Sequence, residues 1–377
     1  MSHGVGRLRR SLDHQYAAAV TVGFGAVVAL AWSALSSTTY QRAVTTSWFS
    51  GRDVGLHTVV TNGAMTIFFA AVGLELSRES RSHVRHHLRS SLPAFAGALG
   101  GMVGTATLSL GLGELWHSSA LRRGWGVPMA TDIAFTLGVL ALAGPRIPRP
   151  LRVFLLTLAI ADDVASVIVL SVTGVAHVRT WGLVAIVVVV IVGVTLGRRL
   201  PPWPAFAVIL IATWIAFAWA GIEPALSGVV AGVLTPVSTP VARRLEVNVA
   251  RSSVVLALPL FALVACGVAW NTVSLTGASG KIVTGTVAVR LVGKVIGIGA
   301  GVFVAGLFGA RRHASISASV LVGASLLCAI GFTVPLLFAG ALFGSTSATY
   351  GAFTVGLLVA SILGACGGVT LLRRATR

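Results

Sequence analysis

Three aspartates and one lysine stand where an apolar chain tolerates charge least. Asp132 lies in GWGVPMATDIAFTLG (124–138), Asp162 and Asp163 lie together in FLLTLAIADDVASVIVLSV (154–172), and Lys294 lies in RLVGKVIGIGAG (290–301). An ionised side chain at the centre of a bilayer costs about 2.5 to 3.5 kcal/mol on insertion scales, so intramembrane charges mark ion pathways unless something else explains them. Neighbouring residues on a helix point about 100° apart. One aspartate of the doublet is therefore free to pair with Lys294 while the other faces a cavity. If both share a confined site, they titrate as a coupled pair. A hard monovalent cation such as sodium takes oxygen ligands, and a carboxylate that accepts either a cation or a proton makes their binding mutually exclusive. That competition is the minimum chemistry of an exchanger. Two other readings fit the same residues: buried ion pairs that only hold helices together, and an aspartyl protease dyad. A dyad normally draws one aspartate from each of two helices, whereas this doublet is contiguous.

The elements that carry these residues follow from composition. The chain has 377 residues, 55% of them hydrophobic and 10% charged, with a mean hydropathy of +0.91. A soluble domain carries about a quarter charged residues, and a transmembrane helix needs about 20 apolar ones. The sequence thus predicts an all-α membrane protein of about twelve transmembrane helices, a single transporter domain over 1–377, with no room for a separate soluble domain. The apolar runs fall near 17–35, 56–76, 92–113, 126–144, 151–173, 180–197, 205–221, 222–237, 254–270, 282–306, 316–343 and 350–372. The division around 221–224 has almost no loop, so eleven spans would also fit. The first run follows Arg7, Arg9 and Arg10 as a signal peptide would, but it is long enough to span and no cleavage motif follows, so it is read as a retained helix.

Lys and Arg are enriched in cytoplasmic loops. Of the 28, twenty fall on one side when alternate loops are taken together, and only Arg42, Arg52, Arg122, Arg123, Arg179 and Lys281 fall on the other. Both termini are therefore expected in the cytoplasm. The net charge of +18 is spread through short clusters between apolar runs, which reads as topology and not as a nucleic-acid face. Cys266, Cys328 and Cys366 sit in apolar stretches without ligand spacing, so neither a disulfide framework nor a zinc site is indicated, and no cofactor is expected. His83, His86 and His87 share a basic loop with Arg81, Arg85 and Arg89, and most of the nine Trp fall near span ends as interfacial anchors.

Glycine and proline interrupt two of the spans. Gly124, Gly126 and Pro128 precede Ala130-Thr131-Asp132, and Gly331, Pro335 and Gly340 punctuate GFTVPLLFAG. Broken helices expose half-helix dipoles and free carbonyls near the midplane, where transporters bind ions. Each broken span is the second of three, in units of about 92–173 and 282–372, as an inverted repeat requires. At such a crossing the negative helix ends favour Lys294 and the positive ends Asp132.

At these residues the chain resembles the NhaA-type sodium/proton antiporter family. The matching motifs are GLELSRES (73–80), GWGVPMATDIAFTLGVLALAG (124–144), FLLTLAIADDVASVIVL (154–170), RRLE (243–246) with LPLFAL (258–263), GKVIGI (293–298) and GFT (331–333). The resemblance implies twelve helices with two crossing discontinuous ones, in a bacterial inner membrane. It implies electrogenic export of sodium or lithium against protons, serving pH and sodium homeostasis. By motif, Asp163 is the main cation ligand, Asp162 is the titrating partner of Lys294, Thr131 and Asp132 sit at the crossing, and sodium is held at Asp163, Asp162 and Thr131. Glu75, Arg78, Glu79 and Glu246 correspond to the cytoplasmic funnel linked to pH response. The partners expected are sodium, protons and membrane lipid, with a second copy of the chain as a candidate and no nucleic acid. Two residues depart from the family's pattern. Arg290 adds a cation one turn before Lys294, and Glu223 stands in GIEPALSG where the family often has histidine; the two are candidates to pair. A free cation at 290 would lower sodium affinity, so Arg290→Ala is expected to tighten it. A sodium-coupled organic-solute symporter of the same fold is the alternative.

Overall fold

The structure, a computed structural model, describes residues 20–49, 52–82, 84–144, 147–172, 179–222, 224–268, 276–310, 316–344 and 347–375. The expectations for Glu223 and His83 fall outside the described residues, as do those for the side chains of Glu79, His86 and His87. Among the described residues everything regular is helical except one pair of strands, β1 (Ser47–Phe49) antiparallel to β2 (Arg52–Gly55).

Backbone groups in lipid must be satisfied within their own segment, and this overrides local propensity. The run Val187–Val188–Val189–Val190–Ile191–Val192 is β-branched throughout and would favour a strand in water. It lies instead in helix α9 (Thr180–Arg199), with Val187, Val188 and Ile191 more than half exposed on the outer surface. Among the described residues seven helical stretches are long and apolar enough to cross a membrane: Leu56–Glu75, Ser91–Leu115, Trp181–Arg199, Pro202–Ala220, Pro240–Ala265, Gly277–Leu307 and Ala348–Ala375. Shorter apolar helices cover Val20–Leu35 (α1), Pro224–Leu234, Ala318–Leu327 and Val334–Phe343. The tight connection near 221 is made by Gly221, whose φ of 75° ends α10 (Pro202–Ala220) in the left-handed conformation that glycine adopts without strain.

Two apolar clusters organise the interior. The smaller joins α4 (Met65–Ser82), α10, α11 (Ser227–Leu234) and α12 (Pro240–Ser252) through Ala70, Leu74, Phe206, Ile209, Ala231 and Leu245. The larger includes α5 (Val84–Leu115), α8 (Arg149–Val172), α15 (Lys294–Leu307) and α18 (Ala348–Ala375). Within it, α5 packs on α15 along one side and on α8 along another.

The α5–α15 contact is a backbone-to-backbone one. Gly100 and Gly104 face Gly293, Gly297 and Gly301, and a Cβ on Gly100 or on Gly297 would run into the other's carbonyl oxygen. Small residues at every fourth position let membrane helices approach this closely. The approach brings the first residue of α15, Lys294, toward the aspartate doublet of α8.

Two spans are interrupted. Helix α6 (Ser119–Arg123) gives way to turns and extended chain from Gly124 to Asp132 before α7 (Ile133–Leu142) begins. Helix α16 (Ala318–Leu327) gives way at 328–332 before α17 (Thr333–Phe343). Gly126 is required at the first break, because any Cβ there would enter the ring of Phe338 on α17.

Candidate functional site

The two breaks meet, and their exposed backbone groups satisfy one another. A helix terminus leaves carbonyls or amides without intrahelical partners. From the last residue of α16 onward, the carbonyls of four consecutive residues each accept a hydrogen bond from elsewhere. Leu327 accepts from the Thr136 hydroxyl (3.2 Å), Cys328 from the Thr131 hydroxyl (2.8 Å), Ala329 from Arg290 Nε (2.7 Å) and Ile330 from the Asp132 amide (2.9 Å). Asp132 also caps α7, its Oδ1 accepting from the Phe135 amide at 3.3 Å. That places a carboxylate at the positive end of α7, as the dipole argument required.

The cation at the carbonyl ends is Arg290, where Lys294 was expected. Its guanidinium is fully buried and donates to Ala329 O, to Pro128 O at 3.2 Å and to Ala130 O at 2.9 Å. Arg290 lies in a π-helical segment, Val289–Gly293, that joins α14 (Gly277–Ala288) to α15. Among the described residues no carboxylate forms an ion pair with it. The expected Arg290–Glu223 pairing lies outside the described residues.

Lys294 is committed elsewhere. Its Nζ lies 2.6 Å from Asp162 Oδ2, with both side chains fully buried. The contiguous doublet thus divides as the 100° offset predicts. Asp162 takes the ammonium, and Asp163 does not. Both carboxylate oxygens of Asp163 are buried and have no hydrogen-bond partner among the described residues, and the same holds for Ser166 Oγ and Asp162 Oδ1. Asp163 lies in the electrostatic field of Asp132, Asp162, Lys294 and Arg290. An uncompensated carboxylate in such a place is costly, and it would be relieved by a proton or by a small cation with oxygen ligands. An aspartate held by a lysine does not share a proton with its neighbour as a protease dyad does.

At the other end of α4, Arg78 Nη1 lies 2.6 Å from Glu246 Oε1, and its Nη2 lies 3.5 Å from Glu75 Oε1. Three of the four residues that the resemblance assigns to a funnel, Glu75, Arg78 and Glu246, therefore gather, with Glu246 buried and Arg78 half exposed. The sequence did not single out Thr136, Ser166 or Ser361, whose Oγ accepts from the Gly331 amide at 3.3 Å. Helical spacing offers a signal for two of them: Thr136 follows Asp132 by four residues and Ser166 follows Asp163 by three.

The sodium/proton antiporter 1 family model matches residues 9–372. Similar proteins include the Na+/H+ antiporter NhaA of Bifidobacterium adolescentis, 32% identical over 354 residues, which cover 86% of this chain and 77% of that one. The NhaA antiporter of Glaesserella parasuis is 33% identical over 84% of this chain and 82% of its own. The NhaA 2 antiporter of Novosphingobium aromaticivorans is 36% identical over 85% and 83%. With a family match over nearly its whole length, relatives above 30% identity, and the motif aspartates gathered at two crossed helix breaks, this chain belongs to the sodium/proton antiporter 1 family.

Proposed function

We propose that this chain is an electrogenic secondary antiporter that expels sodium, and lithium, in exchange for protons, with Asp163 as the group for which cation and proton compete. The observation that carries the reading is the buried Asp163 carboxylate, partnerless among the described residues, next to an Asp162–Lys294 pair at the crossing. Thr131, Asp132 and Asp162 supply the remaining oxygens of the site. A proton entering from the outer face displaces the cation from Asp163. Opening of the Asp162–Lys294 pair offers a second exchangeable proton, and moving more than one proton per sodium makes the exchange electrogenic.

The membrane arrangement proposed with it is twelve spans, two of them discontinuous, in inverted repeats of about 92–173 and 282–372. Both termini face the cytoplasm of a bacterial inner membrane. The charge distribution along the sequence supports this orientation. Arg78, Glu75, Glu79 and Glu246 form the cytoplasmic entrance that sets the pH response.

The test is sodium-induced dissipation of ΔpH in everted vesicles or proteoliposomes carrying the protein, compared with Asp163→Asn. The expected result is robust sodium-dependent exchange that disappears in the variant. Exchange that persists in Asp163→Asn overturns the assignment of the cation to this residue.

A further inference from the structure

We infer that Arg290 is a positioning residue for the cation site: its guanidinium fastens the carbonyl ends of both interrupted spans and so sets Thr131 and Asp132 against Asp163, leaving Lys294 to Asp162. The inference rests on the reading of the site given above.

An arginine carries five N–H donors in a rigid planar fork and stays charged across the working pH range. Here three donor nitrogens are used, and all three go to backbone carbonyls: Nε to Ala329, Nη1 to Pro128 and Nη2 to Ala130. The first acceptor lies just past α16, the other two in the break before α7. One side chain on a third element therefore ties the two breaks together.

The acceptors alternate with the residues that matter. Ala130 immediately precedes Thr131, which bonds Cys328 O, and Asp132, whose amide bonds Ile330 O. Ala329 lies between those two acceptors. A shift of Ala130 or Ala329 thus passes directly into Thr131 and Asp132.

The space for the guanidinium is built into the second break. A Cβ on Gly331 would collide with Arg290 Nη2 and would lie 2.6 Å from Ala130 O. Only glycine at 331 lets the arginine and the opposing strand approach together.

The consequence is a division of labour between two cations one turn apart. The negative helix ends need a compensating charge in every state of the exchange cycle, and Arg290 supplies one that three backbone carbonyls hold in place. Lys294 can then leave Asp162 without unbalancing the crossing. The effect of removing Arg290 is accordingly opposite to that of removing a free countercharge. Sodium binding should weaken, because a loosened crossing misplaces the ligands.

The experiment uses the full chain in proteoliposomes, with sodium-driven ΔpH dissipation measured for the wild type, Asp163→Asn and Arg290→Lys. Lysine keeps the charge but cannot fork to three carbonyls. Losing the charged hydrogen bonds should raise the apparent sodium KM about tenfold or more. The maximal rate should change much less, with melting in detergent confirming a folded protein. Gly331→Ala, which leaves the arginine and its charge in place but pushes the guanidinium aside, should raise the KM in the same direction. An unchanged sodium KM in folded Arg290→Lys, or in Gly331→Ala should Arg290→Lys not fold, overturns the inference. So does a tighter one. Absence of exchange in the wild type would strike the antiport reading, and persistence in Asp163→Asn the site reading, so the three failures are distinguishable.

Discussion

Replacing Lys294 by glutamine removes one half of a fully buried ion pair whose atoms lie 2.6 Å apart. Deleting one partner of such a pair costs about 3–5 kcal/mol, because the survivor is left charged and desolvated. Asp162→Asn in the same background removes the stranded charge and should restore most of the lost stability. A double-mutant cycle should give a coupling of about 2 kcal/mol or more. The measurement is the melting midpoint in detergent for the four proteins of the cycle. Additive losses in the double variant would refute the reasoning.

Other perturbations separate the parts of the site. Thr131→Val strands the Cys328 carbonyl that its hydroxyl bonds at 2.8 Å. It should cost about 1–3 kcal/mol and weaken sodium affinity in transport assays, whereas Thr136→Val, at 3.2 Å from Leu327 O, should lower stability with a smaller change in affinity; equal affinities in the two variants would contradict this. Gly100→Val forces a branched side chain into the Gly297 carbonyl and should lower stability by about 1–3 kcal/mol and slow exchange by drawing Lys294 away from α8. A variant with wild-type rate and melting point would contradict the backbone contact. Arg78→Ala breaks the 2.6 Å contact to Glu246 and should move the pH at which exchange switches on, with little change in maximal rate; an unmoved pH profile of ΔpH dissipation would remove these residues from the pH response.

Particular residues show how far the sequence could be read. The Asp162/Asp163 doublet and Lys294 announced themselves, because a membrane gives ionisable groups no neutral reason to be there. The breaks were legible from Gly124, Gly126, Pro128 and Gly331, and the structure puts them at 124–132 and 328–332, whereas Pro335 and Gly340 lie within α17. Which cation serves which partner was not legible. Arg290 and Lys294 are one helical turn apart, and the dipole argument favoured Lys294 at the carbonyl ends. The choice depends on where α15 lies against α5, which the Gly100–Gly297 approach fixes.

By itself the sequence determined that the chain is helical and membrane-embedded, because with 55% hydrophobic residues and 10% charged its backbone must satisfy its own hydrogen bonds in lipid. It also singled out Asp132, Asp162, Asp163 and Lys294 as candidates, since charge in that solvent is rare and expensive. The tertiary structure alone decided the pairing: Asp162 with Lys294, Arg290 with three carbonyls, and Asp163 with no hydrogen-bond partner among the described residues. Those outcomes hang on contacts of 2.6 to 3.2 Å between groups as far as 162 residues apart in the chain, as for Arg290 and Pro128. Local residue patterns carry no such information, and close packing of the glycine-lined helices supplies it.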